Sequence, residues 1–382
     1  MSSHNLIPFN QPRILGRELD YIKEAVSRRQ LAGDGHFTER CQQMLAEITG
    51  VHSALLTHSC TAALEMAAIL CKIGPGDEVI MPSFTFVSTA NAVVLRGGIP
   101  VFVDVRADTL NLDETLVEAA VTERTKAIWP VHYAGVPAEM DAINAIAQKH
   151  DLLVVEDAAQ ALGSTYHGRA AGNLGDLAAL SFHETKSVIS GEGGAILLPK
   201  MDHVERAEII REKGTNRKRF FRGQVDKYTW VDIGSSFLPG ELIAAFLFAQ
   251  LEHASRTMAD RLMSWQVYDE ALRPFHNSGI KLPSVPSHCT HNGHIYYLVM
   301  PDMRSRTELI ALLRQEGITA PFHYVPLHSA PAGRRFGRVA SAMTQTDIAG
   351  ERLVRLPLFI EMGEMAFQVA EAVTRQLRAV TA

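Results

Sequence analysis

Short apolar runs alternate with amphipathic segments over the first two-thirds of this 382-residue chain. Runs such as Leu152–Val155 are short and rich in branched apolar residues, as in buried strands. Segments such as Thr61–Lys72 and Pro137–Lys149 predict helices, the second with its proline in the first turn. Further strands are predicted at Ala54–Leu56, Glu78–Met81, Val101–Val103, Ala127–Trp129 and Ala195–Leu198. This alternation predicts βα units and a mostly parallel sheet, and hence an α/β fold.

The pattern changes beyond about residue 245. His294–Met300 alternates like a strand, whereas Thr307–Gln315 and Ala366–Leu377 have the periodicity of helices. We therefore predict a major domain over residues 1–245 and a smaller α+β domain over residues 246–382. The N-terminal segment of the major domain can pack on the smaller one.

The composition is that of an ordinary globular protein. Hydrophobic residues make up 47% and charged residues 21% of the chain, which predicts a packed core. The net charge of −5 gives no reason to expect nucleic acid or an anionic membrane surface as a partner. No apolar run has the length of a membrane span, and Met1–Asn5 lacks the features of a signal peptide.

The four cysteines lie far apart in the sequence: Cys41, Cys60, Cys71 and Cys289. No two of them form a CxxC pair, so we expect neither a disulfide framework nor a cysteine-rich zinc site. This usage is typical of proteins in the reducing cytoplasm, where we expect this chain to act.

The strongest chemical signal is an aspartate and a lysine that each follow a predicted strand. Asp157 ends the run that begins at Leu152. Lys186 ends the stretch Leu180–Lys186, just after a predicted strand and just before the Gly-rich turn Gly191–Ala195. Pyridoxal phosphate chemistry needs such a pair: the lysine forms a Schiff base with the cofactor, and the aspartate keeps the pyridine nitrogen protonated. A strand-end acid lies where ligands bind in α/β sheets, although Asp157 could equally cap a helix.

Several other residues could hold the same cofactor. Thr57–Thr61 joins a strand to a helix, and a helix N-terminus with nearby hydroxyls binds phosphate; the alternative is an ordinary helix cap. Ser181 supplies another hydroxyl close to the lysine. Phe86 follows a strand and could stack on a flat ring or pack in the core. Gln160 could reach a hydroxyl of the ring.

The segments that carry these residues resemble a known family. Gly76–Val105, Val154–Ser164 and Gly175–Ile196 are similar to the DegT/DnrJ/EryC1/StrS sugar aminotransferases, and the similarity continues through Asp232–Glu252 and His323–His328. The resemblance implies a fold-type I pyridoxal phosphate enzyme, with helices on both faces of the central sheet and a smaller α+β C-terminal domain. It also implies a homodimer or a higher homo-oligomer with shared active sites.

The resemblance also implies residue roles. Lys186 corresponds to the Schiff-base lysine and Asp157 to the partner of the pyridine nitrogen. The remaining cofactor contacts would come from Cys60 through its backbone N–H, Thr61, Phe86, Gln160 and Ser181. Ser236 stands where many relatives carry an asparagine that reaches the phosphate from the second subunit. The substrate would be bound by Gly214, Thr215, Asn216, Arg219 and His323.

Four segments are more specific: Ser181–Lys186, Arg211–Arg217, Phe220–Trp230 and Asp232–Ser236. They are similar to family members that form dTDP-4-amino-4,6-dideoxygalactose for enterobacterial common antigen. This similarity implies transfer of the amino group of L-glutamate to the C4 ketone of dTDP-4-keto-6-deoxy-D-glucose.

Other functions stay open at this stage. The substrate could be another nucleotide-linked keto sugar. The enzyme could be a dehydratase, a class in which histidine replaces the lysine, and His183 lies close to Lys186. A non-catalytic sugar-nucleotide binding protein is a third possibility. The cluster His288–His294 contains potential zinc ligands of a hydrolase, but no carboxylate accompanies them and we expect no metal. The basic segment Arg217–Arg222 could contact a pyrophosphate or be a solvated charge cluster.

Overall fold

The computed structural model describes residues 6–380, apart from the side chains of Asn277 and Val380. Met1–Asn5, where we predict no signal peptide, and the last two residues lie outside this range. The described α-helices are α1 Glu18–Ser27, α2 His36–Thr49, α3 Cys60–Leu70, α4 Val87–Val94, α5 Glu114–Ala120, α6 Met140–Lys149, α7 Val204–Arg211, α8 Arg217–Phe221, α9 Glu241–Glu252, α10 Ala254–Leu272, α11 Met303–Gln315, α12 Pro331–Phe336, α13 Thr344–Arg352 and α14 Glu364–Val380. None of these helices is long and apolar enough to cross a membrane.

The strands are β1 Ser53–Thr57, β2 Glu78–Pro82, β3 Ile99–Val103, β4 Thr125–Ile128, β5 Leu153–Asp157, β6 Thr165–Tyr166, β7 Arg169–Ala170, β8 Leu177–Ser181, β9 Gly194–Leu198, β10 Cys289–Thr290, β11 Tyr297–Val299, β12 Arg338–Val339 and β13 Leu353–Arg355. Eight of them form a central sheet in the order β1-β9-β8-β5-β4-β2-β3-β12. Strand β9 is antiparallel to both neighbours, and the other pairs are parallel. The sheet is therefore mostly parallel, as the sequence predicts.

Helices cover both faces of this sheet. In β2, Ile80 packs in one apolar cluster with residues of α2 and α6. Its neighbours Val79 and Met81 point the other way, into a second cluster with residues of α3 and α4. Because successive side chains of a strand point to opposite faces, every strand of the sheet except the short edge strand β12 contributes to both clusters. The α/β fold predicted from the sequence is confirmed.

A third apolar cluster joins the C-terminal elements. It includes Tyr268 of α10, Leu309 of α11 and Val369 of α14. Ile7 belongs to the same cluster and pairs with Ile318. Helix α9 runs through the predicted boundary at residue 245 and packs in the first cluster. The division of the chain into two domains stays a prediction.

Two predicted elements are shorter in the structure. The helix predicted from Pro137 begins at Met140, because the carbonyl oxygens of Val136 and Pro137 accept hydrogen bonds from the Asn111 amide at 3.0 and 3.1 Å. The prediction of a first-turn proline was wrong. The other element is the strand predicted over residues 294–300.

That predicted strand is reduced to Tyr297–Val299. The guanidinium of Arg261 donates to the carbonyl oxygens of Gly293 and His294 at 3.2 and 2.8 Å. These carbonyl groups are therefore engaged by a side chain rather than by a neighbouring strand. The alternation of residues 294 and 295 therefore reflects burial of side chains, whereas the Tyr296 carbonyl oxygen still accepts the Leu356 N–H at 3.0 Å.

A glycine controls how closely the sheet approaches the start of α3. Gly194 of β9 lies opposite Thr57 of β1 and Ser181 of β8. A Cβ atom at this position would lie 2.4 Å from the backbone N of Cys60 and from the carbonyl carbon of Ser59. Only a residue without a side chain allows this approach, which fixes the N-terminus of α3 beside the loop that carries Lys186.

We predict that Gly194→Ala lowers stability by about 1–3 kcal/mol, because the added methyl group overlaps backbone atoms that cannot move independently. The effect is measured as a lower thermal midpoint of unfolding. Gly74→Ala is the matched control, since its Cβ would meet its nearest atom, Asp77 Oδ2, at 3.7 Å. Equal midpoints for the two variants would contradict the steric argument.

Candidate active site

One cavity of about 730 Å³ opens at the carboxyl ends of the parallel strands. Asp157 ends β5 and Ser181 ends β8, so both face the same edge of the sheet. The cavity brings together residues that are far apart in the sequence. Eight of the predicted site residues line it: Cys60, Thr61, Phe86, Asp157, Gln160, Ser181, Lys186 and His323.

The N-terminus of α3 forms one end of the cavity. Ser59 caps the helix by accepting a hydrogen bond from the Ala62 N–H at 3.1 Å. The first N–H groups of a helix have no intrahelical acceptor, so those of Cys60 and Thr61 can bind an anion. The hydroxyls of Thr61 and Ser88 lie 2.7 Å apart and add donors at the same place. This arrangement suits a phosphate group.

Asp157 is held by a short chain of hydroxyl groups. Thr89 Oγ1 donates to Asp157 Oδ2 at 2.7 Å, and Thr85 Oγ1 lies 3.1 Å from Thr89 Oγ1. The other carboxylate oxygen accepts the N–H of Ala159 at 3.2 Å. Asp157 is buried, so these bonds fix the direction in which the carboxylate faces the cavity.

Lys186 lies in the loop between β8 and β9, where its backbone N–H donates to the His183 carbonyl oxygen at 2.9 Å. Burial lowers the pKa of its amine below the usual value, while the nearby Cys60 and Asp157 act in the opposite direction and Arg355 lowers it further. Burial likewise raises the pKa of the Cys60 thiol, which therefore stays protonated. The Lys186 amine loses its proton more readily than the amine of a solvated lysine.

Aromatic rings form the wall opposite the sheet. The rings of His323 and Tyr324 stack with their centroids 3.6 Å apart, and Tyr133 OH lies 2.7 Å from His323 Nδ1. The Gln160 amide donates to Tyr324 OH at 3.1 Å and accepts the Ala134 N–H at 2.7 Å. Gln160 therefore orients this wall, in addition to the contact with a ring hydroxyl that the resemblance implies.

Phe86 lies at the mouth of the cavity, with 56% of its surface exposed. Its ring is 6.3 Å from that of Tyr324. An aromatic side chain with this much exposed surface is not packed in the core, and a flat molecule in the cavity could cover it.

Phe9, Tyr324 and Arg355 line the cavity but were not predicted from the sequence. The same is true of Thr89, which does not line the cavity but donates a hydrogen bond to Asp157. Arg355 carried a usable signal, because it is a single cation within the apolar run Leu353–Ile360. Thr89 follows Thr85 at helical spacing, but no local pattern indicates that a hydroxyl in the first turn of a helix will reach a distant carboxylate.

The other predicted site residues do not line the cavity: Gly214, Thr215, Asn216, Arg219 and Ser236. They belong to the segment 213–236, which is folded back by two backbone bridges. One joins Ser236 to Glu212, the residue before the segment, and the other joins Thr215 to Trp230. Much of its apolar surface is exposed, including 79% of Trp230 and 66% of Phe221. Such a patch on one chain is typical of a protein contact surface.

The basic segment is neutralised within the chain. Its ion pairs are Arg217–Glu212, Lys218–Asp34, Arg219–Glu205 and Arg222–Glu208. The histidine-rich segment is also dispersed: His288 lies 3.1 Å from Glu139, the His291 ring packs on Trp265, and His294 lines the cavity. Within residues 6–380, no group of three or more His, Cys, Asp or Glu side chains is arranged to hold a metal ion.

Two histidines of the cavity, His294 and His323, have a pKa below the usual value. Burial holds the pKa of His294 well below its usual value, and the charges of Lys186, Arg261 and Arg355 lower it further. Burial and the charge of Arg355 lower the pKa of His323 in the same way. Below about pH 6.5 these two histidines take up protons in the unfolded chain but resist protonation in the folded chain. The free energy of unfolding therefore falls as the pH drops through this range.

We predict that His294→Asn weakens this acid sensitivity. Between pH 6.5 and pH 5 its thermal midpoint should fall by at least about 1 °C less than that of the wild type, because one buried group no longer opposes protonation. The control is His52→Asn, since His52 is exposed. Parallel curves for the wild type and His294→Asn would show that His294 is protonated as easily in the folded chain as in the unfolded chain.

Comparison with known proteins supports the same interpretation. The model of the DegT/DnrJ/EryC1/StrS aminotransferase family matches residues 12–374. GDP-perosamine synthase of Caulobacter vibrioides is 35% identical over 335 residues, which are 87% of this chain and 88% of that protein. The aminotransferase TlmJ of Streptoalloteichus hindustanus superposes with a TM-score of 0.90 at 29% identity, covering 99% of this chain and all of TlmJ.

Spr1654 of Streptococcus pneumoniae, solved in a PLP form, also gives a TM-score of 0.90, at 26% identity over 98% of this chain and 100% of that structure. The family match spans nearly the whole chain and includes every segment of the predicted site. It confirms the predicted enzyme class and the fold-type I architecture. The chain belongs to the DegT/DnrJ/EryC1/StrS aminotransferase family.

Proposed function

We propose that this aminotransferase moves the amino group of L-glutamate to the C4 ketone of dTDP-4-keto-6-deoxy-D-glucose. The products are dTDP-4-amino-4,6-dideoxy-D-galactose and 2-oxoglutarate. One observation supports the reaction class most directly: Lys186 and Asp157 lie in one cavity with the N-terminus of α3. The acceptor is supported by the similarity of Ser181–Lys186 and Phe220–Trp230 to transaminases that form this product. A nucleotide-sugar relative, GDP-perosamine synthase, supports the wider substrate class.

The cofactor is pyridoxal phosphate, and the residues of the cavity fit it. The N–H groups at the start of α3 and the hydroxyls of Thr61, Ser88 and Ser181 suit its phosphate. The carboxylate of Asp157 suits its pyridine nitrogen, and the exposed ring of Phe86 suits its flat face. When bound, this cofactor accepts the electrons of a bond to the substrate carbon.

The side chains of the chain supply the proton transfers. Lys186 Nζ accepts the proton from the α-carbon of glutamate in the first half of the reaction. In the second half it delivers a proton to C4 of the sugar, which sets the configuration of the new amine. Burial favours the neutral amine that the first step needs. Positioned acid–base help of this kind contributes about 10²–10⁴-fold to a rate.

The segment 213–236 supports a homodimer with shared active sites. Its exposed aromatic side chains are a surface suited to a second copy of the chain. In this assembly Ser236, Asn216 and Arg219 of one subunit complete the cavity of the other, with Gly214 and Thr215 beside them. Ser236 contacts the cofactor phosphate. Arg219 leaves its ion pair with Glu205 and binds the substrate pyrophosphate instead.

We infer a cytoplasmic location from the cysteines of the chain. All four cysteines are free in the structure. Proteins of oxidising compartments more often pair such residues.

We predict that the wild type converts dTDP-4-keto-6-deoxy-D-glucose to the 4-amino sugar only when glutamate is present, with the product identified by NMR. Lys186→Ala should lose both turnover and the visible absorbance of the bound cofactor while keeping its circular dichroism. Lys200→Ala is the control, since Lys200 is an exposed lysine paired with Asp176. A product formed without glutamate would indicate a dehydratase, and normal turnover by Lys186→Ala would refute the role of Lys186.

We predict that hybrid dimers restore activity if the active sites are shared. Ser236→Asp should repel the cofactor phosphate and inactivate the enzyme, as Lys186→Ala does. In a hybrid of the two variants, one site combines an intact Lys186 with an intact Ser236 from the other subunit. Mixing the variants after partial unfolding and refolding should therefore recover about a quarter of wild-type activity, because half of the dimers are hybrids with one working site. No recovery would contradict the shared site.

A further inference from the structure

Arg355 is a cation in the active cavity that the proposed mechanism does not use. It ends strand β13, and its guanidinium donates from Nε and Nη2 to the Phe322 carbonyl oxygen at 3.2 and 3.0 Å. The guanidinium carbon also lies 4.5 Å from the centre of the Phe9 ring. These contacts hold the head group in place, but none of them brings a negative charge.

No acidic side chain within residues 6–380 forms an ion pair with Arg355. The two carboxylates that line the cavity have other neighbours: Asp157 accepts from Thr89 and from a backbone N–H, and Glu192 lies 3.7 Å from His183. Arg261, the other arginine of the cavity, donates to backbone carbonyl oxygens.

A half-buried guanidinium without a counter-charge is unfavourable for the folded chain. Burial accordingly lowers the pKa of Arg355 below its usual value. A ligand with a negative group would relieve this cost, because a guanidinium binds carboxylate or phosphate through two parallel hydrogen bonds.

The position of Arg355 indicates which substrate carries this group. It lines the same cavity as Lys186, His294 and His323, and its charge lowers the pKa of all three side chains. Around C4 the keto sugar presents only uncharged hydroxyl and methyl groups, and its phosphates are attached at C1, across the ring. An amino acid instead carries a carboxylate on the carbon that bears the reacting nitrogen.

We propose that Arg355 binds a carboxylate of the amino donor and thereby makes the donor half of the reaction depend on a negatively charged amino acid. This role rests on the proposed aminotransferase function. It assigns recognition of the donor to the part of the cavity around Arg355. The keto sugar occupies the same cavity after the 2-oxo acid has left, and it makes no charged contact with Arg355.

The test measures the two halves of the reaction separately on the holoenzyme, through the visible absorbance of the cofactor. Arg355→Gln should reduce the second-order rate with L-glutamate by about 10–100-fold, the loss expected for one charge-assisted pair. The rate of the aminated enzyme with the keto sugar should change by less than about threefold. Arg355→Lys should recover part of the loss, because it keeps the charge without the bidentate geometry.

Arg256→Gln is the matched control, since Arg256 is an exposed arginine paired with Glu361. Glutarate, an unreactive dicarboxylate, gives a readout that needs no turnover: its affinity, measured by calorimetry, should fall about tenfold or more in Arg355→Gln. L-Glutamine separates the two carboxylates of the donor. A loss with both amino acids assigns the α-carboxylate to Arg355, and a loss with glutamate alone assigns the side-chain carboxylate.

Equal losses in both halves of the reaction, or an unchanged glutarate affinity, would overturn the inference. A wild type that reacts with glutamate but not with the keto sugar would overturn the proposed acceptor and leave the role of Arg355 standing. If the wild type did not react with glutamate, the proposed donor would be wrong, and the glutarate titration alone would decide whether Arg355 binds a carboxylate.

Discussion

The proposed chemistry depends on one lysine amine, that of Lys186, which lies in the same cavity as the carboxylate of Asp157. Burial disfavours the charged form of Lys186, and the unpaired cation Arg355 acts in the same direction. The charge of Asp157 raises the pKa of Lys186 in the opposite direction. A hydrogen bond from Thr89 holds the Asp157 carboxylate in place. The cavity therefore holds a reactive amine and a negative charge at defined places, which is what a proton-transferring aminotransferase requires.

The sheet is what brings these groups together. Parallel strands end at one edge, so Asp157 at the end of β5 and Ser181 at the end of β8 share a cavity although 24 residues separate them in the sequence. The antiparallel strand β9 then returns beside β1, and Gly194 allows its backbone to touch the start of α3. The N-terminus of α3, where we propose that the cofactor phosphate binds, is thus fixed by the packing of the core.

Sequence patterns predicted the parts of this arrangement that depend on local periodicity or on motif segments. The α/β fold, most strands of the sheet, the strand-end position of Asp157 and the loop position of Lys186 belong to this group. The helix start at Met140 was missed because Asn111 engages the carbonyl groups before it, a contact over more than twenty residues. Thr89 was missed for the same kind of reason, since its hydrogen bond to Asp157 is a tertiary contact that no local pattern encodes. Arg355 was missed although its single charge within the apolar run Leu353–Ile360 was visible in the sequence.

The central claim is that Lys186 carries the cofactor. Reduction of the holoenzyme with borohydride, followed by proteolysis and mass spectrometry, fixes the cofactor to the residue that holds it. The account predicts one modified peptide, with the added mass on Lys186. Modification of a different lysine, or no modification in a preparation that shows the cofactor spectrum, would contradict it.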